Sequence, residues 1–371
     1  MLDSGDLGHR VVVRYRTDAG PTDVLGELTS MDDHGLVVRT EAGDERRIAR
    51  AAVVAGKRVG PRPARYSEIF ALERVAAAAW PTPETERLGE WLLRAAGGWT
   101  NRANSALPLG DAGCDLDEAV RACVAFYTAR GLTPKITVPL PVRRDVARHL
   151  EAAGWIAQPE VLVQTAELDR ITALAGTVGA TAAVGTTPRA NETAEAGGAS
   201  AGVTLHDRPP PDILPLIAAR KEGLPPAAEH VLTAVDPVRF AVIRDGDGGL
   251  LAYARGAIVE GPAPGTRGTA GERPTGSTAP GTDSTATERG ADRAAPTQRW
   301  LHLGLVEVLP PARRRGFGRA VSVALAEWAR QAGATRGVLQ VEAHNEPARR
   351  LYESLGWRTH HSYVTYRHPA A

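Results

Sequence analysis

Apolar and polar residues alternate in four short runs near the start of the chain. The runs are Arg10–Arg16, Asp23–Ser30, Gly35–Thr40 and Glu45–Arg50, and turn residues separate them. Alternation with a period of two predicts strands that bury one face. Strands this short and this closely spaced predict a small SH3-like β-barrel over residues 1–62.

Further along the chain, apolar strands alternate with helical patterns. Trp300–Val308 is apolar enough for a buried strand, Arg319–Gln331 carries apolar residues at helical spacing, and Gly337–Glu342 is apolar again. Strands that alternate with helices predict the α/β (α+β) class for this region.

This order of elements occurs twice. Lys135–Val138 corresponds to Val338–Val341, and Arg148–Trp155 corresponds to Arg350–Trp357, so that each copy ends in Gly-Trp. The repetition predicts an internal duplication. The predicted division is a barrel at 1–62, an earlier repeat at 63–171, a linker at 172–202 and a later repeat at 203–368.

Two segments rich in Gly, Ala, Thr and Pro interrupt the pattern. They are Leu174–Ala201, which we interpret as part of the linker, and an insertion at 261–297 within the later repeat. Neither has enough apolar residues to offset the entropy lost on ordering, so both are predicted to be disordered.

Composition narrows the class of protein. Among 371 residues, 44 basic side chains nearly balance 43 acidic ones, which makes nucleic acid an unlikely partner even though the first region contains several arginines. The two cysteines predict neither a disulfide framework nor a metal site. No long apolar run and no basic-then-apolar start is present, so we expect a cytoplasmic protein without a membrane span.

The segment Val308–Gly318 joins a predicted strand to a helix through a loop rich in arginine. Gly316 and Gly318 allow close approach of the backbone, and the unpaired N–H groups of the first helical turn can bind an anion. The spacing V-x-P-x-x-R-x-x-G-x-G, followed by N-x-x-A-x-x-L-Y-x-x-x-G-W from Asn345 to Trp357, resembles the two hallmark segments of GNAT-type N-acetyltransferases.

This resemblance implies tandem GNAT folds, of which the later one is active. The arrangement is similar to that of mycothiol synthases, and closer to an actinobacterial type with a barrel ahead of the repeats. It implies acetyl-CoA as cosubstrate and no metal. The cofactor-binding positions that it implies are Leu305, Val306, Val308, Arg313, Arg314, Arg315, Gly316, Phe317, Gly318, Arg319, Asn345 and Tyr352.

Catalysis of acetyl transfer needs an acid for the departing thiolate and an acceptor amine without its extra proton. The family's acid corresponds to Tyr352, which could equally be a core aromatic residue, and Asn345 could equally be a helix cap. Candidates for the base are His302, whose imidazole titrates near neutrality, then Glu307 and, more weakly, Glu342.

The earlier repeat departs from the family pattern. Leu109–Glu118 carries four acids where the loop should bind pyrophosphate, and Leu150 stands opposite Tyr352. We therefore expect a degenerate repeat that does not bind CoA. Its segment Trp91–Ser105 either packs internally or lines the acceptor pocket.

The predicted function is transfer of acetyl from acetyl-CoA to a primary amine, in a small molecule or a protein. In this fold the first helices and the last hairpin select the acceptor, here Pro211–Lys221, Ala227–Leu232 and His360–Tyr366, and none of them carries a readable motif. The alternative is a non-catalytic protein that senses acetyl-CoA, or an adaptor whose barrel binds protein or nucleic acid.

Overall fold

A computed structural model describes most of the chain, namely residues 2–40, 43–60, 63–176, 184–185, 202–219, 223–262 and 297–369. The chain divides into two compact units, 1–63 and 64–371. Most of the predicted linker and of the predicted insertion lies outside the described residues.

The smaller unit is an antiparallel, barrel-like sheet of five strands. Its strands are β1 Arg10–Thr17, β2 Gly20–Met31, β3 Gly35–Thr40, β4 Glu45–Ala49 and β5 Val53–Arg58, in the order β4-β3-β2-β1-β5. Val11, Val13, Leu28 and Val38 are completely buried at its centre. The period-two pattern thus located the first four strands, and β5 was missed because Val53–Arg58 buries no residue fully.

The larger unit begins with the segments of the earlier repeat. Its elements are α1 Tyr66–Ala78, β6 Glu84–Leu88, β7 Trp91–Ala95, β8 Leu107–Pro108, α2 Leu116–Thr128, β9 Lys135–Leu140, α3 Arg144–Ala152, β10 Ile156–Ala157, β11 Val161–Glu167 and α4 Leu168–Gly176. Residues 172–176, expected in the linker, are therefore helical.

The segments of the later repeat follow. They are β12 Val184–Gly185, β13 Val203–His206, α5 Leu214–Ala219, α6 Pro226–Thr233, β14 Val238–Arg244, β15 Leu250–Pro262, β16 Thr297–Val308, α7 Phe317–Gln331, β17 Ala334–Glu342, α8 Glu346–Ser354 and β18 Arg358–Arg367. Gly261, Pro262 and Thr297, expected in the insertion, extend β15 and β16.

The two repeats exchange strands in one large sheet. β11, from the earlier repeat, lies between β17 and β18 of the later one, and the far edge of β18 pairs with β9. Residues His360–Tyr366 belong to this single strand, so the expectation of a final hairpin was wrong. Each repeat therefore completes its sheet with a strand from the other.

The ends of the two repeats have the same local structure. Gly154 and Gly356 both have positive φ angles, of 76° and 86°. The N–H of Trp155 donates to the carbonyl of Leu150 at 2.9 Å, and the N–H of Trp357 donates to that of Tyr352 at 3.0 Å. Because the positive φ requires glycine and the following indole is buried in both cases, these parallels favour the proposed duplication.

The large sheet has an apolar core on each face. On one face, α7 and α8 pack over residues such as Leu301, Leu303 and Leu339. On the other, α1, α5 and α6 cover residues such as Val338 and Tyr363. Alternate residues of β16 and β17 face these two cores, and the earlier repeat contributes residues to both of them.

Candidate active site

Strands β16 and β17 separate in the middle of the sheet. They pair in parallel from Arg299 to Leu303, where Leu303 lies opposite Leu339. Beyond this point β16 pairs only with β15, and β17 pairs only with β11. The edges of the two strands therefore leave a split, in which backbone groups can bind an extended ligand.

A bulge lies where the split begins. The register between β15 and β16 shifts opposite Gly304–Glu307, and Leu305 has a positive φ of 52°. After the bulge, Val306 and Val308 pack in the core beneath α7, while Leu305 packs on the opposite face. The backbone of these three predicted residues thus forms one side of the split.

The loop predicted to bind pyrophosphate ends at the amino terminus of α7. Gly316 is the N-cap with φ 83°, and its carbonyl accepts the N–H of Ala320 at 3.0 Å. The N–H groups of Phe317, Gly318 and Arg319 have no acceptor among the residues that the structure describes. No side chain caps this helix, so its first turn is open to an anion.

Glycine is needed twice here for different reasons. A Cβ on Gly316 would meet no atom within 4 Å, so its requirement is the positive φ. A Cβ on Gly318 would lie 3.1 Å from Leu351 Cδ2 and 3.4 Å from Val308 Cγ2. Gly318 thus allows α7 to approach α8 and the end of β16 closely.

The three consecutive arginines of the loop have different environments. Arg313 Nε donates to the carbonyl of Val308 at 3.2 Å, which holds the loop against the strand end. Arg314 has a positive φ of 65°, and the Arg315 guanidinium lies 4.9 Å from the centre of the Phe317 ring. Arg319, one turn later, donates through its guanidinium to the carbonyl of Leu174 at 2.7 Å, so only its backbone faces the loop.

The corresponding helix of the earlier repeat is closed to an anion. Asp115 is the N-cap of α2, and its carboxylate accepts the N–H of Glu118 at 2.8 Å. Asp117 and Glu118 add negative charge to the first turn. The cap and the negative charge both disfavour an anion at the first turn of α2.

Helix α8 places Tyr352 beside the split. Asn345 is its N-cap, and Asn345 Oδ1 accepts the N–H of Ala348 at 3.2 Å, so this residue does cap the helix. Tyr352 is 7% exposed and its ring lies edge-on to Trp357, with ring centres 6.3 Å apart. Burial raises the pKa of Tyr352 above its ordinary value, against the opposing effect of the Arg102 charge, so the phenol keeps its proton at neutral pH.

His302 is buried, whereas the predicted role as base requires access to the acceptor amine. It is 1% exposed, and its Nε2 accepts a hydrogen bond from Trp80 Nε1 at 3.2 Å. Burial, with the nearby charges of Arg255 and Arg102, lowers the pKa of His302 to about 3. An imidazole with so low a pKa is a weak proton acceptor, which disfavours His302 as the base.

Glu307 follows the bulge, and its side chain is 16% exposed. Arg313 Nη2 lies 3.6 Å from its Oε1. This carboxylate is therefore tied to the loop rather than aimed freely into the split, although it remains accessible.

Sequence reasoning missed a cluster of residues that the earlier repeat brings to this region. Two guanidinium groups lie over the Trp80 ring, that of Arg255 at 4.8 Å and that of Arg102 at 5.4 Å from its centre. Arg102 belongs to Trp91–Ser105, and the many polar and aromatic residues of that segment were the one sequence feature that could have indicated its role. What the sequence did not show is that the charge of Arg102 acts on the pKa values of Tyr352 and His302.

The described part of the chain contains neither a membrane-spanning helix nor a cluster of metal ligands. No helix there is long and apolar enough to cross a membrane. Across the same residues, no group of three or more His, Cys, Asp or Glu side chains could hold a metal ion.

Comparison with known proteins identifies the family. The family described as "Probable histone acetyltransferase Rv0428c C-terminal" matches residues 66–271 and 269–366, and the "Rv0428c N-terminal Sm-like domain" matches residues 5–57. A Mycobacterium tuberculosis protein named "Probable histone acetyltransferase Rv0428c" is 31% identical over 369 residues, which cover 97% of this chain and 95% of the relative.

Solved structures of similar fold include two acetyltransferase-type proteins. A GCN5-related N-acetyltransferase from Kribbella flavida has a TM-score of 0.42 at 16% identity, over 81% of this chain and 96% of that one. A tandem GNAT protein from the clavulanic acid biosynthesis pathway also has a TM-score of 0.42, at 15% identity over 84% and 91% of the two chains. Values this low carry no information about substrate.

The family match confirms the small barrel, which the alternation of apolar and polar residues predicted, and the acetyltransferase class, which the two sequence motifs predicted. The protein is therefore an enzyme rather than a sensor or an adaptor. Matched along nearly its whole length, this chain belongs to the Rv0428c acetyltransferase family, with an Sm-like domain ahead of the acetyltransferase region.

Proposed function

We propose that the protein transfers the acetyl group of acetyl-CoA directly to a primary amine within a ternary complex, and that lysine side chains of proteins are among its acceptors. The observation that carries the proposal is the combination of an uncapped helix amino terminus at Gly316, the split between β16 and β17, and the protonated phenol of Tyr352 beside it. The relative named as a histone acetyltransferase supports a protein acceptor.

The residues present fit acetyl-CoA. The free N–H groups of Phe317, Gly318 and Arg319 suit a pyrophosphate, with the positive end of the α7 dipole behind them. The backbone of Leu305, Val306 and Val308 suits the amide groups of a pantetheine arm. These assignments, with Arg313 to Gly316 shaping the loop and Asn345 beside the arm, are proposed roles.

Acetyl-CoA supplies the activated thioester, and the chain supplies position and protons. Tyr352 holds a proton on its phenol oxygen for the departing sulfur. The raised pKa keeps that proton in place until an anion develops nearby. For the amine's proton, Glu307 and Glu342 are accessible carboxylates, whereas His302 is buried with a pKa of about 3.

Calorimetry and mass spectrometry on the full chain test the proposal. Acetyl-CoA should bind with one site per chain, and a histone tail peptide incubated with both should gain acetyl groups on lysine. Absence of acetyl-CoA binding would refute the cofactor assignment. Binding without transfer to any peptide or small amine would refute the acetyl-transfer function.

A further inference from the structure

A cavity of about 210 Å³ lies between the two repeats. Asn101, Arg102 and Gln158 line it from the earlier repeat, and Glu342 and Tyr363 line it from the later one. Most of its lining residues have polar side chains, and they include one acid and one guanidinium. It is large enough for a single flexible arm and too small for a folded segment.

The cavity adjoins the split. Glu342 lies three residues beyond Leu339, the last residue of β17 that pairs with β16. β17 therefore forms one wall of the split and carries the carboxylate of the cavity. The other wall of the split is β16 beyond Leu303, which includes the bulge at Leu305.

The inner wall of the cavity contains buried polar atoms without partners. Arg102 Nε is buried and makes no hydrogen bond to any residue that the structure describes. A second, smaller cavity shares Arg102 and Tyr363 with the first and is lined also by Gln340, whose buried Oε1 likewise lacks a described partner. Unpaired buried polar atoms are costly, so their presence here points to a ligand or a bound water.

The charges of the cavity are arranged along its depth. The side chain of Glu342 is 55% exposed, and its Oε2 lies 3.2 Å from His344 Nε2. Arg102 lies further inside, on the Trp80 ring. Glu342 attracts an ammonium group at the mouth, and Arg102 repels it at the inner wall. The neutral amine is therefore favoured where the transfer occurs.

We propose that this cavity is the acceptor site and that it takes an aliphatic primary amine at the end of a flexible arm, of which a lysine side chain is the model. The inference rests on the proposed acetyl transfer. Glu342 takes one proton from the ammonium group and later releases it to solvent. The amine nitrogen then bonds to the acetyl carbon as the carbon–sulfur bond breaks, the sulfur takes the proton of Tyr352, and the second amine proton restores the phenol.

A bulky substitution at the cavity wall tests the assignment. Gln158→Trp should raise the KM for Nα-acetyl-L-lysine methylamide at least tenfold and leave the Kd of acetyl-CoA, measured by calorimetry, unchanged. Glu160→Trp is the matched control, because Glu160 is exposed two residues away and does not line the cavity. An equal KM in both variants would overturn the proposal.

Two further variants test the charges without changing the volume greatly. Glu342→Gln should raise the KM for the same cationic probe with acetyl-CoA binding intact. Arg102→Met should move the acid limb of the pH dependence of kcat to higher pH, because kcat reports groups in the bound complex, and Arg102→Lys should restore it. An unchanged KM in Glu342→Gln would refute the role of Glu342, and an unchanged pH profile in Arg102→Met would refute the role of Arg102. A wild-type protein that binds acetyl-CoA but acetylates no amine would instead refute the acetyl-transfer function itself.

Discussion

Glu73 and His361 form a completely internal pair, with Glu73 Oε1 2.8 Å from His361 Nε2 and side chains only 3% and 1% exposed. Glu73 belongs to α1 of the earlier repeat and His361 to the exchanged strand β18. On its other side, His361 Nδ1 lies 2.9 Å from His360 Nδ1. A buried polar contact therefore fixes the place of the strand that unites the two repeats.

Removal of either partner should destabilise the larger unit. Glu73→Leu or His361→Leu leaves a buried polar atom without its partner, which costs about 1–3 kcal/mol. The double variant should regain much of this loss, because neither desolvated group remains. Chemical denaturation of the single and double variants measures the coupling, and purely additive losses would contradict it.

The strand exchange predicts that the later repeat does not fold by itself. A fragment of residues 202–371 lacks β11 and exposes the facing edges of β17 and β18. We expect it to aggregate, whereas residues 64–371, a compact unit in the structure, should remain folded. Circular dichroism and gel filtration distinguish the outcomes, and a stable, monomeric 202–371 fragment would contradict the exchange.

Substitution of Gly316 should weaken acetyl-CoA binding. Gly316→Val strains a residue with φ 83°, at about 1–2 kcal/mol, and displaces the amides that follow it. Gly131→Val is the matched control, because Gly131 has φ 65° with open space around it and lies in the earlier repeat. Calorimetry should show weakened binding for the first variant only.

Tyr352→Phe should lower kcat roughly 100-fold, the usual contribution of a general acid. The ring packing against Trp357 is retained, so the Kd of acetyl-CoA and the thermal stability should change little. Because burial raises the pKa of Tyr352, an alkaline decline of the rate near neutrality would have to come from another group. Steady-state kinetics across pH tests both statements, and an unchanged kcat would remove Tyr352 from the mechanism.

His302 should make the fold sensitive to acid. Its pKa falls from 6.5 to about 3 on folding, so between these values the unfolded chain binds a proton that the native protein does not. Stability should therefore be unaffected above pH 6.5 and decrease by about 1.4 kcal/mol per pH unit as the pH falls from there toward 3. Denaturation of the wild type and of His302→Gln at several pH values should show a shallower decline in the variant.

The local features of the site could be predicted from the sequence. The need for glycine at 316, the helix that follows it, and the Gly-Trp end of each repeat depend on residues close together in the chain. The acids around Asp115 likewise predicted a helix start unsuited to pyrophosphate, and the structure shows that Asp115 caps this helix.

The tertiary structure alone decided which strands are neighbours and which polar residues meet. Alternation along a strand shows which face is buried but not which strand lies beside it, so the exchange of β11 and β18 could not be predicted. The low pKa of His302 arises from burial and from the charges of Arg255 and Arg102, which belong to other segments of the chain. The sequence by itself therefore determined the uncapped helix start at which we propose that pyrophosphate binds, while long-range packing determined what lines the opposite side of the split.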